Sequence, residues 1–286
     1  MSAAGRFAPS PSADLHIGNL RTAILAWLFA RSTGRRFLLR VEDLDDRTFS
    51  DVAARQVADL AAVGVTWDEP PEHQTAHQDR YDAVIAQLIE RGLVYECHCS
   101  RKDILQAPRA PHAPEGAYPG TCRDLPPGAT RGERPPALRL RSDATEYTVT
   151  DLIHGEYTGV VDDFVLRRGD GVPAYNLAVV VDDAVQGIDQ VVRGDDLLSS
   201  SPRQAYLGAL LGYPGVVYAH VPLVLNAEGK RLAKRDGAVT LAEIGVGGAL
   251  AQIADSLHLP PGPPEAMLAR FDPAALPTQP WIYQPG

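Results

Sequence analysis

His16 and Gly18 near the N-terminus, and Lys234 far downstream, are residue types whose setting suits the handling of phosphate. The run Arg6-Phe7-Ala8-Pro9-Ser10-Pro11-Ser12-Ala13-Asp14-Leu15-His16-Ile17-Gly18-Asn19 passes from a short apolar strand signal through a Pro/Ser turn. A His-x-Gly segment then opens the helical pattern Leu20 to Ala30. That order of strand, turn and helix N-terminus presents unpaired backbone N–H groups and the positive end of the helix dipole, both of which favour anionic oxygens. Gly18 lets backbone approach a nucleotide closely, and His16 can donate to a phosphate oxygen. The later run Gly229-Lys230-Arg231-Leu232-Ala233-Lys234-Arg235-Asp236 adds cations, with Lys234 placed to reach phosphates as a point charge. Lysine is rare here: Lys102, Lys230 and Lys234 are the only ones, and every other basic residue is Arg or His.

A second chemistry is suggested by charges at predicted strand ends. A site for an acidic amino acid needs two cations to neutralise two carboxylates, and a carboxylate to meet the α-ammonium. Arg6, Glu42 and Arg193 fit that need, and Tyr175 can add a phenolic hydroxyl. Taken singly, Arg6 and Arg193 read more readily as structural ion-pair partners of Glu42 or Asp195; the context of each residue shifts the balance. Asp182, Asp183, Asp195 and Asp196 read as caps or packing partners.

These residues need a scaffold that delivers them to one place. The segment Arg36-Phe37-Leu38-Leu39-Arg40-Val41-Glu42-Asp43 reads as a buried strand with Glu42 at its C-terminal end, where open parallel sheets hold their ligands. Asp51 to Val63 and Gln78 to Arg91 show apolar spacing of three and four and read as amphipathic helices. The βαβα order implies an α/β fold with a parallel sheet. From about residue 95 to 165 the pattern changes to Pro- and Gly-rich loops with short strands at 137–141 and 160–166, which reads as an inserted unit. The α/β pattern returns with Tyr175 to Asp183, a strand over Gln190 to Arg193, and a helix with Ser201 as its cap and Pro202 in its first turn. Tyr218 to Leu225 is a further strand, Leu241 to Leu257 a final helix, and the Pro-rich tail is expected to be irregular.

Composition bounds the partners. The 286 residues carry 27 Lys and Arg against 36 Asp and Glu, a formal net charge of -9, so any contact with RNA must be confined to one face. Arg134, Arg139 and Arg141 form a local basic stretch that could touch an RNA backbone or be a solvated strand edge. No apolar run approaches the length of a membrane span, and a soluble, cytoplasmic protein with no membrane partner is expected.

All three cysteines, Cys97, Cys99 and Cys122, lie in the loop-rich segment, and an odd number argues against a purely disulfide framework. Their clustering suggests a structural zinc site. A fourth ligand is not obvious: His98 lies between two ligands in extended backbone, so its side chain points the other way, whereas His112 is free of that objection.

Together the residues from Arg6 to about Thr240 resemble the catalytic half of glutamyl-tRNA synthetase, a class I aminoacyl-tRNA synthetase. His16 to Asn19 stand at its HIGH motif and Gly229 to Asp236 at its KMSKS motif. The segments around Tyr175 and Arg193 look like those that hold the amino acid. The resemblance implies a class I Rossmann-like parallel sheet over 1–94 and 166–228, an inserted zinc-containing subdomain over 95–165, and a KMSKS-like loop with a short helical C-terminal segment over 229–286. It assigns ATP to His16, Gly18, Asn19 and Lys234, with His16 and Lys234 catalytic. Glutamate falls to Arg6, Phe7, Ala8, Pro9, Ser10, Glu42, Tyr175 and Arg193.

The chain stops about fifty residues after Lys234, too few for a typical anticodon-binding domain. With the Cys-x-Cys and Tyr-x-x-x-Cys arrangement, this resembles the glutamyl-queuosine tRNA(Asp) synthetase family, in which Tyr118 would complete the zinc site. The resemblance implies a monomer that activates L-glutamate with ATP and Mg²⁺ without needing tRNA. It then passes the glutamyl group to queuosine in the anticodon loop of tRNA(Asp). Three departures stand out: Asn19 replaces the last His of the first motif, Ala233 replaces a Ser of the second, and Val179 stands where an Asn is common. Two other readings remain: a glutamate-adenylating enzyme with another RNA, small-molecule or carrier acceptor, and a noncatalytic RNA-binding remnant.

Overall fold

The computed structural model describes residues 3–107, 117–126, 129, 134–232 and 239–284. Its main sheet takes strands from β1 (Ala4–Phe7), β2 (Arg36–Val41), β3 (Glu72–His73), β6 (Glu146–Asp151), β7 (Gly155–Val160), β9 (Ile188–Gly194) and β10 (Val217–Val221). Their order across the sheet is β3-β2-β1-β9-β10-β6-β7, parallel throughout except for the β6–β7 hairpin at one edge. A smaller antiparallel sheet joins β4 (Val94–Cys97), β5 (Ala137–Leu140) and β8 (Val165–Arg167). A third, parallel pair links β11 (Val224–Leu225) to β12 (Trp281–Ile282) near the C-terminus.

Strand parity decides what reaches the site. Phe7, Phe37, Leu39, Val192 and Val221 alternate onto one face of the sheet and pack with α1 (Ile17–Ser32), whose Leu20, Ile24 and Leu28 are fully buried. The intervening residues Ala4, Leu38, Val191 and Tyr218 form a separate cluster on the opposite face. Arg6, Arg40, Glu42, Arg193 and His220 share the parity of that second set. The register places Arg6 opposite Leu38 and Val191, and His220 opposite Arg193. Five polar groups therefore gather on one side of a sheet that is buried on both faces, as parallel sheets are.

Helix α2 spans Ser50–Ala62, α3 Gln78–Glu90, α4 Arg101–Gln106, α5 Tyr175–Gln186 and α6 Ser201–Leu211. Leu88 of α3, Leu177 and Val181 of α5 and Leu207 of α6 close a second core with Leu140 and Leu166 of the small sheet. The residues between 146 and 160, expected within an inserted unit, instead extend the main sheet, where Asp151 of β6 pairs with Tyr218 of β10. The expected final helix is broken into α7 (Leu241–Ile244) and α8 (Val246–Ser256), because Gly245 takes a positive φ of 72°. The tail is more regular than its prolines suggest: it forms α9 (Pro264–Leu268) and then β12. Among the described residues no helix is long and apolar enough to cross a membrane.

Candidate active site

The turn from β1 into α1 builds one corner of a cleft of about 880 Å³. His16 is the N-cap of α1: its Nδ1 accepts the Gly18 backbone N–H at 3.1 Å, while Asn19 Oδ1 accepts the His16 N–H at 3.1 Å. This reciprocal pair is a capping box with His and Asn in place of the usual residues. Burial lowers the His16 pKa to about 4, with Arg231 adding to the effect, so the ring is neutral at physiological pH. A Cβ at Gly18 would lie 2.9 Å from His16 Cε1 and 3.3 Å from Val224 Cβ, so only glycine fits without displacing the ring.

The second motif closes the same corner from the far end of the chain. Leu225 and Arg231 form an isolated bridge, Ile17 N–H donates to Val239 O at 3.1 Å, and Thr240 bridges to His16. Lys230, Arg231, Leu232 and Thr240 line the cleft. Lys234 and Ala233 lie outside the described residues.

A charged corner adjoins it. Arg6, Phe7, Ala8, Pro9, Ser10, Glu42, Tyr175 and Arg193 all line this cleft, as do His16, Gly18 and Asn19. Arg6 is held by Asp183 of α5, Nε to Oδ1 at 3.1 Å, and not by Glu42. Arg40, 1 % exposed, reaches the same Asp183 oxygen at 2.8 Å, Gln186 at 2.6 Å and Glu42 at 3.2 Å. Burial alone would raise the Asp183 pKa, but the Arg6 and Arg40 guanidiniums reverse this and hold it below the ordinary carboxylate value. At Glu42 burial prevails over Arg40 and Arg6, and its pKa is raised. A cation arriving beside Glu42 therefore meets a carboxylate that it stabilises.

Arg193 is likewise not paired with Asp195. Its Nη1 lies 3.3 Å from the Tyr175 hydroxyl, and its other nitrogens are bound by His220 and Ser201. Ser201, expected as a helix cap, is the first residue of α6 and turns its hydroxyl to Arg193, while Ser200 occupies the N-cap without a side-chain capping bond. Val179 is buried in α5 and is not among the cleft-lining residues. A second cavity of about 600 Å³ shares Ser10, Ser12, Glu42 and Tyr175 with the cleft and extends past Asp45, Arg47 and Arg168.

The thiols form a separate centre. The sulfur atoms of Cys97, Cys99 and Cys122 lie within 4.8 Å of one another, with Cys99 and Cys122 at 3.5 Å. Tyr118 Oη is 3.3 Å from Cys97 Sγ and 3.8 Å from Cys99 Sγ, and accepts the Cys122 N–H at 2.8 Å. A tetrahedral zinc with Zn–S bonds of about 2.3 Å sets ligand separations of roughly 3.8 Å, so these four groups fit one metal ion. His98 is not in the group, and His112 lies outside the described residues. In the nearby basic stretch Arg134 is exposed, Arg139 stacks 3.7 Å from the Tyr118 ring centroid and donates to Asp163 O, and Arg141 is bound to Asp124 and the Arg123 carbonyl. Arg139 is thereby buried within the protein, whereas Arg141 remains partly exposed.

The pairings that sequence reasoning missed are those of Asp183, which holds both Arg6 and Arg40, and of His220 with Ser201, which fix Arg193. A buried-strand Arg such as Arg40 was the available signal, since a charge in an otherwise apolar run demands a partner.

Residues 3–249 match the family described as class I tRNA synthetases (E and Q), catalytic domain. A glutamyl-Q tRNA(Asp) synthetase of Nocardia farcinica is 63% identical over 98% of this chain and 92% of its own length. A glutamate–tRNA ligase of Acidithiobacillus ferrooxidans is 42% identical over 85% of this chain, which spans 53% of that protein. The fold matches a crystal structure of a glutamate tRNA ligase from Elizabethkingia meningosepticum in complex with its amino acid, with a TM-score of 0.82 at 24% identity, covering 99% of this chain and 67% of that one. The chain belongs to the class I aminoacyl-tRNA synthetases of the E and Q type, within the glutamyl-Q tRNA(Asp) synthetase family.

Proposed function

We propose that this ligase activates L-glutamate with ATP, without RNA being needed for that step, and transfers the glutamyl group to queuosine at the wobble position of tRNA(Asp). What supports the reading most is that one cleft holds both a helix N-terminus suited to phosphate and a corner of two arginines and a glutamate. The chain carrying it is 63% identical to a relative named for the transfer.

In the first step a glutamate α-carboxylate oxygen attacks the α-phosphorus of ATP. The new O–P bond forms as the bond to the β-phosphate breaks, and pyrophosphate leaves. No protein nucleophile takes part, so rate comes from positioning and charge stabilisation. His16 donates from Nε2 to a phosphate oxygen, the N–H groups opening α1 face the same anion, and Lys234 supplies a cation. Mg²⁺ arriving with ATP offsets phosphate charge. Arg6 and Arg193 neutralise the two carboxylates of the amino acid, Glu42 meets its ammonium, and the Tyr175 hydroxyl adds a polar contact beside Arg193.

In the second step a hydroxyl of queuosine attacks the glutamyl carbonyl, loses its proton, and AMP departs. The adjoining cavity past Asp45 and Arg168 gives room for an acceptor beside Glu42 and Tyr175. Cys97, Cys99, Tyr118 and Cys122 would hold a structural zinc ion that cross-links the small sheet to its loops. All four positions being protein ligands, it has no open site for chemistry.

Glutamate-dependent exchange of labelled pyrophosphate into ATP, with no RNA present, tests the activation step. Exchange in the wild type with a loss on the order of 10²-fold in Lys234→Ala is the expected result. Exchange that starts only when tRNA is added would contradict RNA-independent activation.

A further inference from the structure

Asp151, His220 and Ser201 stand in a line that has the geometry of a hydrolase triad and none of its freedom. His220 Nδ1 lies 2.6 Å from Asp151 Oδ2, and His220 Nε2 lies 3.0 Å from Ser201 Oγ. Ser201 and His220 are fully buried and Asp151 is 2 % exposed. In a triad the imidazole Nε2 takes the serine proton. Here that nitrogen also accepts Arg193 Nε–H at 3.0 Å, and the serine oxygen accepts Arg193 Nη2–H at 2.7 Å.

The donors fix the protonation. A guanidinium has no acceptor, so His220 Nε2 must carry a lone pair and the ring proton must sit on Nδ1, facing Asp151. Asp151 is prepared for that role: its Oδ1 accepts the N–H groups of Ile153 and His154, both at 2.9 Å, and its Oδ2 accepts the His220 N–H at 3.1 Å. Burial lowers the His220 pKa and Arg193 and His154 act in the same direction, against Asp151, which keeps the ring neutral. Tyr218 stacks on the ring at 5.6 Å and lies under the Arg193 guanidinium at 5.5 Å. Arg193 is thus gripped at Nε and Nη2, leaving Nη1 beside Tyr175 at the cleft.

We infer that Asp151, His220 and Ser201 are positioning residues that lock the Arg193 guanidinium in one orientation for the amino-acid carboxylate. The inference rests on the reading of Arg193 as a glutamate contact given above. The hairpin β6–β7 then has a purpose beyond covering a sheet edge, because it delivers Asp151 beneath β10. A residue that ordered only the fold would change stability alone; one that orients Arg193 changes glutamate recognition selectively.

The test compares KM for glutamate, KM for ATP and kcat in pyrophosphate exchange for Arg193→Ala, Ser201→Ala, His220→Phe and His220→Gln, each checked for folding by thermal melting. Arg193→Ala reports on the underlying reading: an unchanged KM for glutamate would overturn that assignment and this inference with it. With that control positive, Ser201→Ala and His220→Phe are expected to raise KM for glutamate about tenfold or more. KM for ATP should stay within about twofold. His220→Gln, whose side-chain oxygen can accept from Arg193 Nε, is expected to recover most of the loss. If His220→Phe does not fold, Ser201→Ala decides alone, and it should have no further effect in an Arg193→Ala background. Ser201→Ala with KM for glutamate at the wild-type value, or an equal effect with and without Arg193, would overturn the positioning role.

Discussion

The Nδ1 atom of His16 accepts the backbone N–H of Gly18 at 3.1 Å, and that bond decides which ring nitrogen is left to act. With Nδ1 holding a lone pair, a neutral ring carries its proton on Nε2 and serves as a donor. One residue thus caps the helix and offers a hydrogen bond to the anion that the same helix end attracts.

The ring should remain neutral down to about pH 4. Its pKa in the folded state lies below the ordinary 6.5, so its contribution to stability is complete above that value and is lost as pH falls toward 4. A histidine NMR titration should show no His16 transition between neutral pH and about 5. His16→Asn keeps a good cap but no imidazole, and is expected to lower kcat for adenylate formation on the order of 10²-fold with little loss of stability.

Glutamate affinity should weaken on the acid side through Glu42. Its pKa is raised above the ordinary 4.5 by burial, and the ammonium of a bound amino acid requires the ionised form. Calorimetric titration of L-glutamate against pH should show affinity falling as Glu42 takes up a proton. In Glu42→Gln the affinity should be low throughout and that acid limb absent; an unchanged limb would remove Glu42 from the ammonium site.

Asp183 joins Arg6 and Arg40 through a single oxygen. Asp183→Asn leaves two buried guanidiniums without their shared anion and is expected to cost about 3–5 kcal/mol in urea unfolding. Replacing Arg55, whose ion pairs with Asp14 and Asp51 are on the surface, should leave the unfolding midpoint close to that of the wild type.

These contrasts explain what was legible in the sequence. His16, Gly18 and Glu42 could be read because their settings are local: a turn before a helix, a carboxylate ending an apolar strand. The partners of Arg6 and Arg193 could not, since Asp183 and His220 lie 177 and 27 residues away, and the packing of α5 on the sheet brings up the first while strand register brings up the second. The hairpin over 146–160 was not read as strands within the loop-rich stretch, and even a period-two pattern there would report a buried face and not a neighbour. The broken helix at Gly245 was missed because apolar periodicity continues across the break.

Zinc removal should affect structure before chemistry. Elemental analysis is expected to give about one zinc per chain, and Cys122→Ser should lose it together with a clear drop in melting temperature. Strong chelation should reproduce the drop, and re-addition of zinc should reverse it. Retained zinc in Cys122→Ser would rule out the cluster as the site.

The most direct measurement of the central claim follows labelled glutamate, with ATP and Mg²⁺, onto tRNA(Asp) with and without queuosine, after the 3′ terminal nucleoside has been removed. Label retained on the queuosine form alone is the expected result. Label that leaves with the 3′ terminus, or that appears equally on both forms, would contradict transfer to queuosine.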